Sequence, residues 1–287
     1  MLSSKVFFTA IIPTFNRSES TIEAINSVLN QSFDNFELIL IDDGQEESHR
    51  GKIFYFLKNI PAVIQTKVSY ILLPKNYGVS SARNAAIYRS KGEYLAFLDS
   101  DDLWHSSKLE EQFIHLERNS FPFLSHTDEI WIRNGQRVNP KLKHQQKSGD
   151  IFFPSLKLCL ISPSTVVIKR KELMLNHQLF DESLPVCEDY DLWLRLTCRQ
   201  EAHYIPKKLV TKHGGHDDQL SRSEKAMDYF RLKAMRKLLI TQKKILTQMQ
   251  MNMTKEEFYY KKDLLVKGAL KHQNFFLLQK IDALEII

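Results

Sequence analysis

Four short apolar runs, separated by segments with helical spacing, constrain the fold of the first hundred residues more than any other feature. Strands are predicted at Val6–Ile12, Glu37–Ile41, Val68–Leu72 and Tyr94–Leu98, and helices at Glu19–Asn30, Ser48–Lys58 and Val79–Arg89. Alternation of strands and helices predicts an α/β fold with a largely parallel sheet covered by helices. In such sheets ligands bind beyond the carboxyl ends of the strands.

After residue 105 the pattern is less regular. Helices are predicted at Ser106–Asn119 and Asp189–Arg199, a polar loop or hairpin at 133–150, and a short strand at Ser164–Ile168. From Ser223 onward the pattern is helical, with a break predicted near Asn252 and Thr254 capping the next helix. The chain is therefore expected to end in two or three helices.

Composition excludes several classes of protein. A hydrophobic content of 43% and a charged content of 26% are those of a globular chain rather than a disordered one. No apolar run approaches the roughly 18 residues that cross a bilayer, and the three cysteines lack metal-site spacing. With no secretory signal evident, a cytoplasmic location is expected, with peripheral contact at the inner membrane face as an extension.

The charge is concentrated at the C-terminal end. Residues 221–287 contain 14 Lys and Arg against 7 Asp and Glu, a surplus of +7, so the first 220 residues carry −1 of the total +6. Solvated lysines on helices explain this surplus, and contact with phosphates or an anionic membrane is the alternative. The aromatic residues of this region suggest core or oligomer contacts, or a membrane face for a lipid-linked acceptor.

Polar residues follow three of the four predicted strands, at Pro13–Arg17, Asp42–Gly44 and Asp99–Asp102. The last segment places three carboxylates within four residues. Two like charges about 4 Å apart repel by about 4 kcal/mol at an effective dielectric constant of about 20. A divalent cation would relieve this repulsion, and a few oxygen ligands suit Mg²⁺ or Mn²⁺ shared with substrate phosphates.

Several segments together resemble the family 2 glycosyltransferases. The matching segments are Ile12–Arg17, Ser27–Phe33, Phe36–Gly44, Asn76–Asn84, Gly92–Asp102 and Glu188–Arg195. They occur in order over roughly residues 5–220. The resemblance implies a GT-A fold, with a mixed, mostly parallel central sheet. It also implies a glycosyltransferase domain at 1–221, with a nucleotide-binding half at about 1–105 and an acceptor half at about 106–221, before a basic helical extension at 222–287.

The resemblance also implies roles for individual residues. For the nucleotide-sugar, Pro13, Thr14 and Phe15 would line the base pocket, Asp43 would accept a hydrogen bond from a pyrimidine, Arg83 would lie beside the diphosphate, and Asp99 and Ser100 would approach the ribose. For the metal, Mn²⁺ or Mg²⁺, the expected ligands are Asp101, Asp99 and His216, with His213 as the alternative to His216.

Asp189 is the candidate catalytic base, because a carboxylate can take the proton of an acceptor hydroxyl during attack. Glu188 and Asp189 would also favour the start of a helix, and Asp191 is the nearest competitor. His126, Asp128 and Glu129 follow another predicted strand, where contact with an acceptor rests on sequence proximity alone.

The predicted function is metal-dependent, inverting transfer of a sugar from a nucleotide diphosphate, UDP foremost, to a hydroxyl of a glycan, a lipid-linked sugar or another acceptor. A sugar-1-phosphate nucleotidyltransferase is disfavoured, because the first strand is not followed by a glycine-rich loop. A nucleic-acid-binding protein using the basic tail would leave the carboxylates unexplained, so no nucleic-acid partner is expected.

Overall fold

The computed structural model describes residues 5–139, 145–175, 179–215 and 226–285. The first part of the chain alternates strands and helices as predicted. Its elements are β1 (Phe8–Thr14), α1 (Ser18–Leu29), β2 (Phe36–Asp42), α2 (Glu47–Asn59), α3 (Ala62–Gln65), β3 (Val68–Leu72), α4 (Val79–Arg89) and β4 (Tyr94–Phe97).

These four strands are parallel and lie in the order β3-β2-β1-β4. Side chains alternate between the two faces of the sheet, and both faces are buried in β1, β2 and β4, whereas β3 at the edge is partly exposed. Ala10 and Leu38 pack with Ile25 of α1 on one face, whereas Ile11 and Ile39 belong to the cluster that contains α4 on the other. Burial of both faces explains why these strands are continuous apolar runs rather than alternating ones.

The second part extends the same sheet with mixed directions. Its elements are β5 (Leu103–Trp104), α5 (Lys108–Arg118), β6 (Leu124–Arg133), β7 (Gln136–Val138), α6 (Phe152–Lys157), a 3₁₀ turn (Pro163–Thr165), β8 (Val166–Lys169), α7 (Arg170–Leu175), α8 (Glu188–Thr197) and β9 (His203–Gly214). The full order is β3-β2-β1-β4-β8-β6-β9-β5, with β7 paired to β6. β8 is antiparallel to both β4 and β6, while β6 and β9 are parallel. The predicted α/β class with a mixed sheet is confirmed.

Three helices follow, α9 (Met227–Thr241), α10 (Gln248–Lys271) and α11 (Phe275–Asp282). Their apolar residues, among them Leu232, Met235 and Phe258, pack with Tyr190 and Leu194 of α8. The helical region therefore shares a core with the helix that carries Asp189.

The predicted helix break near Asn252 is wrong. Thr247 caps α10, its side chain accepting from the backbone N–H of Gln250 while the Gln250 side chain accepts from the Thr247 N–H. Thr254 is buried inside the helix and donates to the Gln250 carbonyl. Two Thr-x-x-Gln/Glu sequences compete in this segment, and only the first stands at the helix start.

The aromatic residues of this region divide between core and surface. Phe258 is fully buried, whereas Tyr259, Tyr260, Phe275 and Phe276 are exposed. Core packing explains the aromatic residue Phe258. A membrane or oligomer contact through the exposed aromatic residues stays a prediction. Within the described ranges, no helix combines the length and apolar character needed to cross a membrane.

Candidate active site

A cleft of about 400 Å³ lies at the carboxyl edge of the parallel strands. Its lining includes the described residues predicted to bind the nucleotide-sugar or the metal or to act as the base: Pro13, Thr14, Phe15, Asp43, Arg83, Asp99, Ser100, Asp101 and Asp189. His126, Asp128 and Glu129 do not line it. His216 lies outside the described residues. Segments more than 170 residues apart in the chain thus meet at one edge of the sheet.

Asp43 holds the wall of the cleft in place. Its carboxylate accepts hydrogen bonds from the backbone N–H groups of Tyr77 and Gly78, both at 2.9 Å. Burial raises the pKa of this carboxyl, and these two backbone donors act against that shift. Each oxygen keeps a second lone pair, so Asp43 can fix the loop and still accept from a ligand.

Gly44 allows the loop at residues 75–78 to pack directly against the chain that follows β2. It has φ +74°, and a Cβ at this position would overlap the backbone of Lys75 and Asn76. Glycine here therefore serves both the backbone conformation and the close approach of two chain segments.

The end of β1 presents an aromatic surface to the cleft. Thr14 is buried, and its hydroxyl lies 2.7 Å from that of Thr21 at the start of α1. Phe15 is 41% exposed and lines the cleft, so its ring is available for stacking.

Arg83 joins two acidic segments. Its guanidinium is 2% exposed and donates to Glu188 at 2.7 Å and to Asp99 at 2.6 Å. Its Nε atom is buried and has no hydrogen-bond partner among the described residues. The arginine thus ties the carboxylate run to the start of α8, with one donor unused.

The three carboxylates at 99–102 have different partners. Asp99 pairs with Arg83, and Asp101 pairs with Arg17 at 2.8 Å. Asp102 is buried and accepts from the Ser164 hydroxyl and the backbone N–H of His213. The predicted mutual repulsion is therefore already relieved by protein groups, so crowding of the charges alone does not require a metal.

The side chains of Asp99 and Asp101 nevertheless suit a divalent cation. They are 29% and 18% exposed, whereas Asp102 is buried and both its oxygens accept hydrogen bonds from protein groups. No group of three or more His, Cys, Asp or Glu side chains suited to a metal occurs in the described ranges. A cation held here would share its remaining ligands with a bound molecule, as Mg²⁺ and Mn²⁺ do with phosphates.

His213, the alternative to His216, does lie in this cleft. Its Nδ1 is 2.9 Å from the Asp101 carbonyl oxygen, which can only accept, so Nδ1 carries the proton. In the neutral ring, Nε2 then keeps a lone pair for a further ligand.

Three neighbouring acidic residues at the start of α8 have different surroundings. Glu188 is paired with Arg83, and Asp191 is buried and paired with Arg195 and with Lys237. Asp189 is half-buried and forms no salt bridge with a described residue; its carboxylate accepts from its neighbour's backbone N–H and, at 3.5 Å, from the thiol of Cys159. Of the three, Asp189 is the carboxylate free to take a proton from a ligand.

Glu188 titrates at an unusual pH for a carboxyl group. Burial and the charge of Asp189 raise its pKa to about 7, and the bond to Arg83 limits the rise. The residue that precedes it, Cys187, has φ 63°, a conformation that only the surrounding structure can hold in a residue other than glycine. The surrounding structure thus fixes the backbone at the start of α8 and with it the position of Asp189.

Arg17 and Lys212 have no role predicted from the sequence. The partner of Arg17, Asp101, is 84 positions away in the chain. Lys212 is on β9, donates to the Ser162 hydroxyl at 3.0 Å, and has its pKa raised by Glu129, Asp102, Asp99 and Asp189 against the effect of burial. No local sequence pattern predicts that Arg17 and Lys212 lie beside these carboxylates, because only the fold brings them together.

Comparisons with known proteins agree with this geometry. The model of the glycosyl transferase family 2 matches residues 9–165, more than half of the chain. A Rickettsia bellii protein described as an uncharacterized glycosyltransferase is 36% identical over 201 residues, 70% of this chain and 28% of that protein. The chain therefore spans less than a third of that relative's length.

A second relative carries a more specific name. The Escherichia coli protein WfgD, a UDP-Glc:alpha-D-GlcNAc-diphosphoundecaprenol beta-1,3-glucosyltransferase, is 32% identical over 186 residues, 65% of this chain and 68% of WfgD. Among solved structures, S. aureus TarS residues 1–349 in complex with UDP-GlcNAc superposes with a TM-score of 0.70 at 20% identity, covering 89% of this chain and 72% of TarS. On this evidence the chain has the GT-A fold and belongs to glycosyltransferase family 2.

Proposed function

We propose that the protein transfers a sugar from a UDP-sugar to a hydroxyl of a glycan or lipid-linked acceptor, with a divalent cation and with inversion at the anomeric carbon. The observation that carries the proposal is the meeting, in one cleft, of the carboxylates Asp99 and Asp101 with the unpaired carboxylate of Asp189. Family membership supports the reaction class. The UDP-sugar named for WfgD and bound in TarS supports the donor.

The nucleotide fits the β1–β2 side of the cleft. The exposed ring of Phe15 offers a stacking face for a pyrimidine, and Asp43 keeps acceptor capacity for its edge. The unused Nε of Arg83 is a buried donor for an anion. The aromatic ring and the Asp43 carboxylate therefore suit a pyrimidine base, and the Arg83 guanidinium suits a diphosphate.

A divalent cation would be held by Asp101 and Asp99. When bound, it neutralises the charge that develops on a diphosphate leaving group. Arg17 lies against Asp101 and would be displaced from it or shared with the diphosphate.

Asp189 would act as the general base. It would accept the proton of the acceptor hydroxyl as the hydroxyl oxygen forms its bond to the anomeric carbon. The bond to the diphosphate breaks on the opposite face, so the configuration inverts. Glu188 cannot serve this role while it is paired with Arg83, and Asp191 is held by Arg195 and Lys237.

The test is Asp189→Asn, assayed with a panel of UDP-sugars and acceptors and with the product's anomeric configuration read by NMR. General base catalysis contributes about 10²–10⁴-fold, so transfer should fall by that factor while UDP affinity stays within about twofold. Asp263→Asn, at an exposed pair on α10, is the matched control and should keep full transfer. Full activity of Asp189→Asn, or retention of configuration, would refute the assigned role.

A further inference from the structure

A second cavity of about 360 Å³ adjoins the cleft. Asp189, Lys212 and His213 line both spaces. Its other walls come from β6, from the segment at 158–162 and from α9. A molecule in this cavity can therefore reach the Asp189 carboxylate without occupying the nucleotide side of the cleft.

Buried polar atoms in the cavity wall have no partner among the described residues. They are Glu129 Oε2, Gln146 Oε1 and Arg231 Nε. Glu129 is only 6% exposed, and its other oxygen accepts from the Trp131 indole N–H at 2.7 Å. An unsatisfied buried polar group costs about 1–3 kcal/mol, and a ligand hydroxyl that reached any of these atoms would remove that cost.

One strand supplies an aromatic surface beside these atoms. Glu129, Trp131 and Arg133 alternate along β6, so their side chains share one face of the strand. The guanidinium of Arg133 lies 5.6 Å from the centroid of the Trp131 ring. An indole beside a carboxylate suits a pyranose, because the apolar face of the sugar packs on the ring while its hydroxyls meet the polar groups.

The charges of the wall favour an anionic substituent on that sugar. Of the three cations in the wall, Lys212 lies near the carboxylates of Glu129, Asp102, Asp99 and Asp189 and Arg231 is paired with Asp228, which leaves the charge of Arg133. Arg133 is exposed and forms no salt bridge within the described ranges, and Arg231 uses only Nη1 on Asp228. Guanidinium groups bind phosphate through paired hydrogen bonds, whereas a neutral glycan would leave this charge without a counterpart.

We infer that this cavity binds the acceptor as a sugar carrying a phosphate group, with Trp131 and Glu129 holding the ring and Arg133 the phosphate. The inference rests on the proposed transferase function and deepens it by naming the acceptor class. It makes Glu129, Trp131 and Arg133 determinants of acceptor specificity rather than of donor binding.

The test uses saturation-transfer NMR titrations with UDP and the diamagnetic Mg²⁺ present in excess, so that the nucleotide cleft is filled. The probes are glucose 1-phosphate and N-acetylglucosamine 1-phosphate, each against its methyl glycoside. We expect the phosphates to bind at least about tenfold more tightly, Arg133→Met to remove this preference, and Glu129→Gln to weaken all probes. Arg137→Met, at an exposed position of the same hairpin, is the matched control and should change nothing.

Equal binding of phosphates and methyl glycosides, unaffected by Arg133→Met, would overturn the inference in favour of a neutral glycan. Failure of every probe to bind while UDP binds normally would also overturn it, yet would leave the donor site intact. Loss of UDP binding itself would instead refute the proposed function. UDP affinity measured in each variant separates these outcomes.

Discussion

Replacement of Arg83 by Met removes the buried cation that joins the two acidic segments of the active site. The guanidinium is 2% exposed and bonded to Glu188 at 2.7 Å and Asp99 at 2.6 Å. Removing one partner of a buried ion pair costs about 3–5 kcal/mol, because the remaining charge is left unpaired. We expect this loss in the free energy of unfolding at pH 8.

The loss should become smaller at lower pH. The pKa of Glu188 is already raised to about 7 by burial and by Asp189, and removing Arg83 raises it further. The pKa of Glu188 in the unfolded chain is near 4.5. Between pH 4.5 and the pKa in the folded state, the folded protein therefore binds more protons than the unfolded chain. Protonation of Glu188 therefore stabilises the folded state increasingly as the pH falls. Each unit by which Arg83→Met raises this pKa adds up to about 1.4 kcal/mol to the free energy of unfolding of the variant. The difference between variant and wild type should shrink from pH 8 to pH 6.

The assay is urea unfolding followed by tryptophan fluorescence at both pH values, with Trp193 of α8 as a buried probe close to Glu188. Arg89→Met, exposed on the same helix α4, is the matched control and should change stability by less than about 0.5 kcal/mol. A loss below 1 kcal/mol at pH 8, or an equal loss at both pH values, would refute the reasoning.

Three other perturbations test separate features. Gly44 and Gly135 both have φ +74°, but only at Gly44 would a Cβ overlap neighbouring backbone. Gly44→Ala should therefore lower the free energy of unfolding in urea by about 1–3 kcal/mol more than Gly135→Ala does, and it should weaken UDP binding. Thr247→Ala removes the helix cap of α10 and should cost about 1 kcal/mol in the same assay. Arg17→Ala should tighten Mn²⁺ binding in the absence of nucleotide by up to about fivefold, measured by EPR. The reason is that the partly exposed ion pair between Arg17 and Asp101 is worth at most about 1 kcal/mol. Unchanged Mn²⁺ affinity would argue that Asp101 does not bind the metal.

Much of the fold could be predicted from local pattern. Of the four parallel strands, β1, β2 and β4 are buried on both faces, so they stand out as apolar runs. Residues that follow parallel strands meet at the carboxyl edge of the sheet by geometry alone. Prediction of the C-terminal helices was weaker, because Thr247 and Thr254 head similar capping sequences and only tertiary packing decides between them.

That the predicted site residues would lie together could be predicted, because they follow neighbouring strands, but their hydrogen-bond and ion-pair partners could not. Sequence alone could not separate Asp189 from Asp191, since the partner Lys237 comes from a helix 46 positions later. It also treated 99–102 as one charged cluster, whereas Asp102 is turned inward to Ser164 and His213. Such assignments depend on long-range contacts that leave no local pattern.

Binding of UDP with and without Mn²⁺, measured by isothermal titration calorimetry in the wild type and in Asp101→Asn, tests the central claim most directly. The exposed Asp34→Asn serves as the control and GDP as the competing nucleotide. We expect Mn²⁺ to tighten UDP binding at least about tenfold in the wild type and in Asp34→Asn, but not in Asp101→Asn. Equal UDP affinity with and without Mn²⁺ would contradict the metal site, tighter binding of GDP would contradict the assigned donor, and failure of both nucleotides to bind would contradict the account as a whole.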